Sequence, residues 1–390
     1  MVDFKKYLKE QQKPKETNPI EIFKRLDKKS GNRFLRSEQE AILSQWTEKF
    51  LDRKDIIVKL HTGQGKTLVG LLMLQSSLNA GLGPAVYLCP DNSLIRQTVE
   101  EAKSFGISTV EFAGSGSPIP LGFSNSESIL VTTYNKLFNG KSVFGVRGSD
   151  REKIKLGSLV LDDAHRGLDI IRESFSIKIK KNQDGRTNPI YQKLFDLFES
   201  ALMKQAVVTC IEIKQNEDVQ MTVPHWIWTD KIKTVIEILS ENKEKEGLLY
   251  SWDLIKQKLQ YSTCIFSGNR LEISPRLVPI EMIPSFLEAT RRIFLSATLT
   301  EDAFLVRDLD IDTDSVNNPL MLKDVTYSGE RMILIPTLVN QSFTREEVID
   351  WVSRYSEKHG SFGVVSLVPS FKHADDWKSH GGVITNKDNL

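Results

Sequence analysis

The octet Leu60-His61-Thr62-Gly63-Gln64-Gly65-Lys66-Thr67 constrains this chain more than any other stretch. Behind it, Asp55-Ile56-Ile57-Val58-Lys59-Leu60 is an apolar run that reads as a buried strand. Ahead of it, Leu68 to Gln75 has helix-forming composition. A strand, a glycine-rich turn and a helix in that order let backbone N–H groups at the helix N-terminus cradle a polyphosphate. Gly63 and Gly65 permit close approach of the backbone. Lys66 can reach the β- and γ-phosphates, and the Thr67 hydroxyl can take a place on Mg²⁺. The general form G-x-x-x-x-G-K-[ST] would need glycine at position 60, where this chain has Leu60, so the match is the core Thr62 to Thr67.

A chain of 390 residues is long enough for about two to three domains and a substantial core. Its 40% hydrophobic and 26% charged residues are ordinary for a globular protein. No run approaches the ~18 apolar residues of a membrane span, and the first residues lack the apolar centre of a signal peptide. No membrane role and a cytoplasmic location are therefore expected. Cys89, Cys210 and Cys264 are widely separated and in no metal-ligand spacing, as expected of buried thiols in a reducing compartment. Net charge is only +1, but residues 1 to 36 hold eleven Lys and Arg against five Asp and Glu. That basic segment is either a solvated tail or an arm that touches nucleic acid.

Beyond this segment, Ser37-Glu38-Gln39-Glu40 before Ala41-Ile42-Leu43 reads as a capped helix start. Strand-like runs recur at Ile56–Leu60, Ala85–Cys89, Ser108–Phe112, Ile129–Thr132, Leu159–Asp162 and Ile293–Ser296, with helical stretches between them. Apolar strands alternating with helices predict an α/β fold: a parallel sheet with helices on both faces and a ligand crevice beyond the C-terminal strand ends. From Arg166 to Arg291 the pattern gives way to amphipathic segments such as Tyr191–Leu202 and Lys231–Leu239. This stretch reads as a mostly helical insertion, in which Trp226, Trp228 and Trp252 are expected in the core rather than stacked on bases. From Arg331 an α/β pattern resumes, with strands expected at Met332–Ile335 and Gly363–Val368 around a helix at Thr344–Lys358. The expected organisation is a basic segment over 1–35, a first lobe over 36–166 and 291–325, an insertion over 167–290, and the start of a second α/β lobe over 326–390.

Leu159-Val160-Leu161-Asp162-Asp163-Ala164-His165 is an apolar strand ending in two acids. Opposite a phosphate loop, such a strand end holds Mg²⁺ through its waters, which makes Asp162 the candidate metal residue. Asp163 is the candidate for orienting and deprotonating an attacking water. Ser296-Ala297-Thr298 follows another apolar run, and small hydroxyl residues there can bond the acidic turn and relay nucleotide state.

In order, the chain carries LRSEQEAI, LHTGQGKT, VYLCPDNSLIRQ, ILVTTYN, LVLDDAH and FLSATL. Over about residues 33 to 300 this series resembles the RecA-like motor core of superfamily 2 helicases of the DEAD/DEAH group. The long stretch before SATL and the later Leu367-Val368-Pro369-Ser370-Phe371 are similar to the Rad3/XPD/DinG-like branch. The iron–sulfur cysteines of that branch are missing, since only Cys89 lies between the phosphate loop and the acidic motif.

The resemblance implies ATP and Mg²⁺ as ligands, with Arg36, Gln39, Thr62, Gly63, Gln64, Gly65, Lys66 and Thr67 around the nucleotide. It implies Pro90, Asn92, Thr132 and Thr133 as contacts to the sugar–phosphate backbone of single-stranded DNA or RNA. His165, Ser296 and Thr298 would couple nucleotide state to movement. Asp163 stands where the family has Glu, which implies slower hydrolysis. The family's last two motifs, with the arginine that stabilises transition-state charge, are not found here, so the chain reads as partial in its second lobe. The expected function is the motor core of a helicase or translocase, or alternatively a nucleic-acid-stimulated ATPase switch. A protein partner on the insertion is also expected.

Overall fold

The computed structural model describes residues 14–29, 31, 34–61, 63–112, 116–183, 186–297, 299, 302–322, 338, 340–358, 368 and 371–380. Two compact units divide the chain, Met1–Lys323 and Asp324–Leu390.

The first unit is built on seven strands: β1 (Asp55–Lys59), β2 (Ala85–Cys89), β3 (Thr109–Val110), β4 (Ile129–Thr133), β5 (Ser158–Leu161), β12 (Arg291–Ser296) and β13 (Leu320–Met321). Their order across the sheet is β13-β1-β12-β5-β2-β4-β3, and every neighbouring pair is parallel. Successive side chains of a strand point to opposite faces. Ile57, Leu88, Leu130 and Phe294 accordingly enter one apolar core, while Ile56, Val58, Tyr87 and Ile293 enter another. Both faces are covered, which is why these strands are continuously apolar rather than alternating. The expected α/β sheet is present, although the run Ser108–Phe112 yields only the two-residue β3.

Part of the basic segment is integral to this unit. The helix Pro19–Arg25 starts at Asn18, whose side chain accepts from the Ile20 and Glu21 N–H groups. It buries Ile22 and Phe23 in the core beside the helix Lys66–Asn79. Asn79 Nδ2 also donates to the Glu16 carbonyl at 2.6 Å. Residues 1–13 lie outside the described residues.

The stretch after Arg166 contains the expected long helices, Pro189–Gln205 and His225–Glu241, and also a sheet that was not expected. Strands β6 (Ile177–Lys180), β9 (Gln220–Thr222), β10 (Ser262–Ser267) and β11 (Arg270–Pro275) form an antiparallel sheet in the order β6-β11-β10-β9; a small hairpin, β7 (Asn182–Gln183) with β8 (Arg186–Thr187), stands apart. Along β10 and β11 buried and half-buried residues alternate, the mark of a one-sided sheet. Phe266 from that buried face meets Tyr191 and Phe195 edge-on, with ring centroids 5.6 and 5.4 Å away. Trp228 stacks on Phe198 at 5.8 Å and donates its indole N–H to the Leu259 carbonyl. Trp228 and Trp252 are thus core residues as expected, whereas Trp226 is 73% exposed.

In the second unit, the helix Arg345–Lys358 is present. The Glu347 carboxylate accepts from the Thr344 N–H at 2.8 Å, and the Glu347 N–H donates to the Thr344 hydroxyl at 3.3 Å, a reciprocal cap. The strand expected at Met332–Ile335 lies outside the described residues. So do residues 363–367 of the second expected strand and Pro369 and Ser370 of the motif beyond it.

Candidate active site

The motifs that follow strands in the first unit lie on one edge of the sheet because the strands are parallel. Register pairs Lys59 with Ser296, Phe294 with Leu161, Leu88 with Leu161, and Cys89 with Thr133. The residues that follow these positions therefore share the C-terminal edge.

After Lys59 the chain turns through Gly63 and Gly65, both in the left-handed region with φ of 87° and 71°. Only glycine adopts that conformation freely. A Cβ on Gly65 would stand 2.1 Å from Gln39 Nε2. The turn is stapled by Gln64, whose side-chain oxygen accepts from the His61 N–H at 2.8 Å. Lys66 and Thr67 begin the helix Lys66–Asn79, so free N–H groups and the positive helix end face the loop's concave side. These features fit a polyphosphate. Thr62 lies outside the described residues.

Gln39 and Arg36 reach the loop from the helix Ser37–Lys49. Gln39 Nε2 donates to the Gly65 carbonyl at 3.2 Å, and its Oε1 accepts from the Arg36 N–H at 3.0 Å. Arg36 Nη1 donates to the Gly63 carbonyl. The cap of this helix is therefore Arg36, with Gln39 folded back on it, rather than the expected Ser37. The physical reason is that Gln39 satisfies the Arg36 N–H while its amide N–H bridges to the loop. Gln39 is 4% exposed, and its two ends hold the loop in shape.

Asp162 and Asp163 follow β5. Asp162 is buried, with its N–H on the Leu88 carbonyl at 3.0 Å and its Oδ1 accepting from the Asp163 N–H at 2.9 Å. Burial pushes its carboxyl above the ordinary range; the Asp163 hydrogen bond, the Tyr87 hydroxyl and the Lys66 charge oppose this. Lys66 and Asp162 thus face each other electrostatically across the site. Asp163 is half-buried at φ 45°, unusual for a residue with a side chain. It starts the helix Ala164–Ser174, on which His165 is exposed. Thr67 and Asp162 are of the chemical type that can hold Mg²⁺, and both act on the Glu101 carboxyl.

A carboxyl raised on folding binds its proton more tightly in the folded chain. Its contribution is then most favourable below the unfolded value near 3.8 and is lost as pH rises through the folded value. At neutral pH the buried Asp162 carboxylate therefore destabilises the metal-free chain. Asp162→Asn is expected to raise the thermal midpoint measured without metal at pH 7, and any further rise produced in the parent by Mg²⁺ with nucleotide is expected to be absent from the variant. A midpoint unchanged in both conditions would refute this.

Ser296 is buried at the end of β12, and its carbonyl accepts from the Leu60 N–H at 3.1 Å, which joins the Ser296 turn to the start of the phosphate loop. Thr298 lies outside the described residues. Among the expected nucleic-acid contacts, Asn92 is exposed and Thr133 half-buried, while Pro90 and Thr132 are buried.

Sequence reasoning missed Glu101. It lies beside Thr67, Asp162 and Arg36 from the helix Asn92–Phe105, and burial raises its carboxyl against the opposing effect of the Thr67 hydroxyl. No local motif marks it, because only the packing of two helices brings it there.

Among the described residues no helix is long and apolar enough to cross a membrane. Cys89, Cys210 and Cys264 are buried thiols, with Cys89 pushed up to about 12 by burial.

Residues 37–195 match the family model described as DEAD/DEAH box helicase. Among solved structures, the chain is similar to S. tokodaii Xpd4 at 15% identity and TM-score 0.49, covering 88% of this chain and 73% of that one. An XPD helicase structure is matched at 14% identity and TM-score 0.43, over 89% of this chain and 74% of that one. An apo XPD structure is matched at 16% and 0.44, over 87% and 70%. No curated protein matches the chain.

Proposed function

We propose, from the premise that residues 37–195 match the DEAD/DEAH box helicase family, that this protein is the ATP-driven motor core of a nucleic-acid helicase or translocase. The observation that carries the reading is the shared sheet edge. It gathers Lys66 and Thr67, the Asp162–Asp163 turn, and Ser296 with Asn92 and Thr133. One face of that edge is suited to a nucleotide and an adjacent one to a phosphodiester backbone.

The loop N–H groups and Lys66 bind the β- and γ-phosphates of ATP, and Gln39 and Arg36 brace the loop beside the nucleotide. Thr67 and Asp162 would hold Mg²⁺, which neutralises charge on the phosphate oxygens when bound. Asp163 orients a water and takes its proton as the water oxygen bonds to the γ-phosphorus and the bond to the β,γ-bridging oxygen breaks, leaving ADP and phosphate. Asn92 and Thr133 contact the sugar–phosphate backbone of single-stranded DNA or RNA, which requires no base reading. In this reading one ATP-binding lobe spans 36–166 and 291–325, with an insertion over 167–290. Residues 326–390 are assigned to a second lobe.

Steady-state ATP turnover with and without single-stranded DNA and RNA tests the proposal. A rise of at least about tenfold with one polynucleotide is expected, a lowering of the barrier by ~1.4 kcal/mol or more as the occupied nucleic-acid face orders the acidic turn. Turnover indifferent to both polynucleotides would remove the helicase reading. Stimulated turnover without displacement of a labelled strand would favour an ATPase switch.

A further inference from the structure

The acidic turn is tied to both nucleic-acid-facing segments by side chains outside the nucleotide site. From the core, the fully buried Tyr134 donates its hydroxyl to the Asp162 carbonyl at 2.8 Å. Tyr134 directly follows Thr132 and Thr133 and opens the short helix Tyr134–Leu137. Its ring lies so close to Gly167 that a Cβ there would stand 2.3 Å from the ring Cζ and 2.4 Å from the hydroxyl oxygen. Glycine at 167 is what leaves room for this contact.

From the surface, Arg166 Nη1 meets Asp91 Oδ2 at 3.1 Å. Asp91 caps the helix Asn92–Phe105 by accepting from the Ser93 and Leu94 N–H groups at 3.0 and 3.1 Å. Arg166 and Gly167 sit in the first turn of the helix that Asp163 starts, and the Gly167 N–H donates to the Asp163 carbonyl at 3.0 Å.

We propose that Tyr134 and Arg166 are positioning residues that relay occupancy of the nucleic-acid face to the carboxylates of Asp162 and Asp163. The inference rests on the reading of Asn92 and Thr133 as backbone contacts. Asp163 holds a left-handed backbone, which in a residue with a side chain persists where its surroundings enforce it. Movement of the segment behind either tether is therefore passed to the turn that carries both acids. The two tethers differ in kind. The Arg166 side chain is 54% exposed, so its pair with Asp91 is weak and can exchange for a phosphate arriving at the N-terminus of the helix Asn92–Phe105. The Tyr134 bond is sealed from water and cannot exchange, so it carries movement of the Thr133 peptide straight to Asp162.

The test is kcat and KM for ATP, with and without oligodeoxythymidylate or oligouridylate of about 20 nucleotides, on the full chain. Tyr134→Phe keeps the ring and removes one hydroxyl. It is expected to leave unstimulated kcat and KM within about twofold and to cut the stimulation ratio about three- to tenfold, the scale of one lost hydrogen bond. Arg166→Ala is expected to lower the ratio about threefold and raise the oligonucleotide concentration giving half-stimulation, with Arg166→Lys restoring most of both. Equal losses with and without oligonucleotide would make Tyr134 a structural support and overturn the relay. So would a stimulation ratio unchanged in Tyr134→Phe and Arg166→Ala while the parent chain responds normally. If Tyr134→Phe fails to fold, the surface Arg166 variants decide the question. A parent chain that ignores both oligonucleotides would instead sink the underlying functional reading, and the relay with it.

Discussion

Lys66→Ala is expected to lower ATP turnover by at least about a hundred- to a thousandfold, with or without nucleic acid. The ammonium is the one side-chain cation of the phosphate loop, and it faces the buried Asp162 across the site. Its charge matters most when negative charge builds on the transferring phosphoryl oxygens. Loss of one such preorganised donor costs about 3–4 kcal/mol in the transition state. The substitution is mild structurally, because Lys66 opens its helix and alanine is the best helix former. A thermal midpoint close to the parent's should therefore accompany the loss of turnover. Turnover that survived Lys66→Ala would place the chemistry elsewhere.

Asp55→Ala is expected to destabilise the chain by about 3–5 kcal/mol, read from equilibrium denaturation, without altering nucleotide affinity in the remaining folded protein. Arg292 is fully buried, and its Nε and Nη2 bond the two Asp55 carboxylate oxygens at 2.5 and 2.8 Å. Its remaining donors reach the Leu309 and Asp310 carbonyls at 3.1 and 2.8 Å. The guanidinium thus joins β1, β12 and the segment after the helix Asp302–Leu309. Removing the carboxylate leaves a buried cation without its counter-charge, the costly half of a buried ion pair. Replacing both partners, with Asp55→Leu and Arg292→Met together, is expected to recover much of the loss, because no charge then remains buried. A loss under about 1 kcal/mol for Asp55→Ala alone would show that the pair contributes little. The nucleotide site is spared because Asp55 begins β1 and the phosphate loop follows its other end, roughly 15 Å away at the rise of an extended strand.

Much of the central fold was legible because its signals are local. An apolar run with acids at its end, or a glycine-rich turn between a strand and a helix, specifies its own geometry within a few residues. Ala85–Cys89 emerged as expected, and β1, β4, β5 and β12 shifted by only one or two residues at one or both ends. The second sheet was not anticipated, although Ser262–Ser267 and Arg270–Pro275 alternate around a Gly268-Asn269 turn, a period-two signal that can be read. Amphipathic helices on either side masked it. The helix does begin at Ser37, but its cap is Arg36, because Gln39 folds back to the Arg36 N–H.

The sequence by itself determined the chemistry available: a phosphate loop, a pair of acids after a buried strand, and small hydroxyl residues after another. Those are properties of consecutive residues, and local sterics and hydrogen bonding suffice to shape them. Only the tertiary structure decided which groups meet. Gln39 bracing Gly65, Glu101 beside Thr67, Tyr134 on the Asp162 carbonyl, and Arg292 buried against Asp55 join positions from 26 to 237 residues apart. Such pairings arise from the order of strands across a parallel sheet and the helices laid upon it. Neighbours in that sheet are seldom neighbours in the chain, so no periodicity along the chain encodes them.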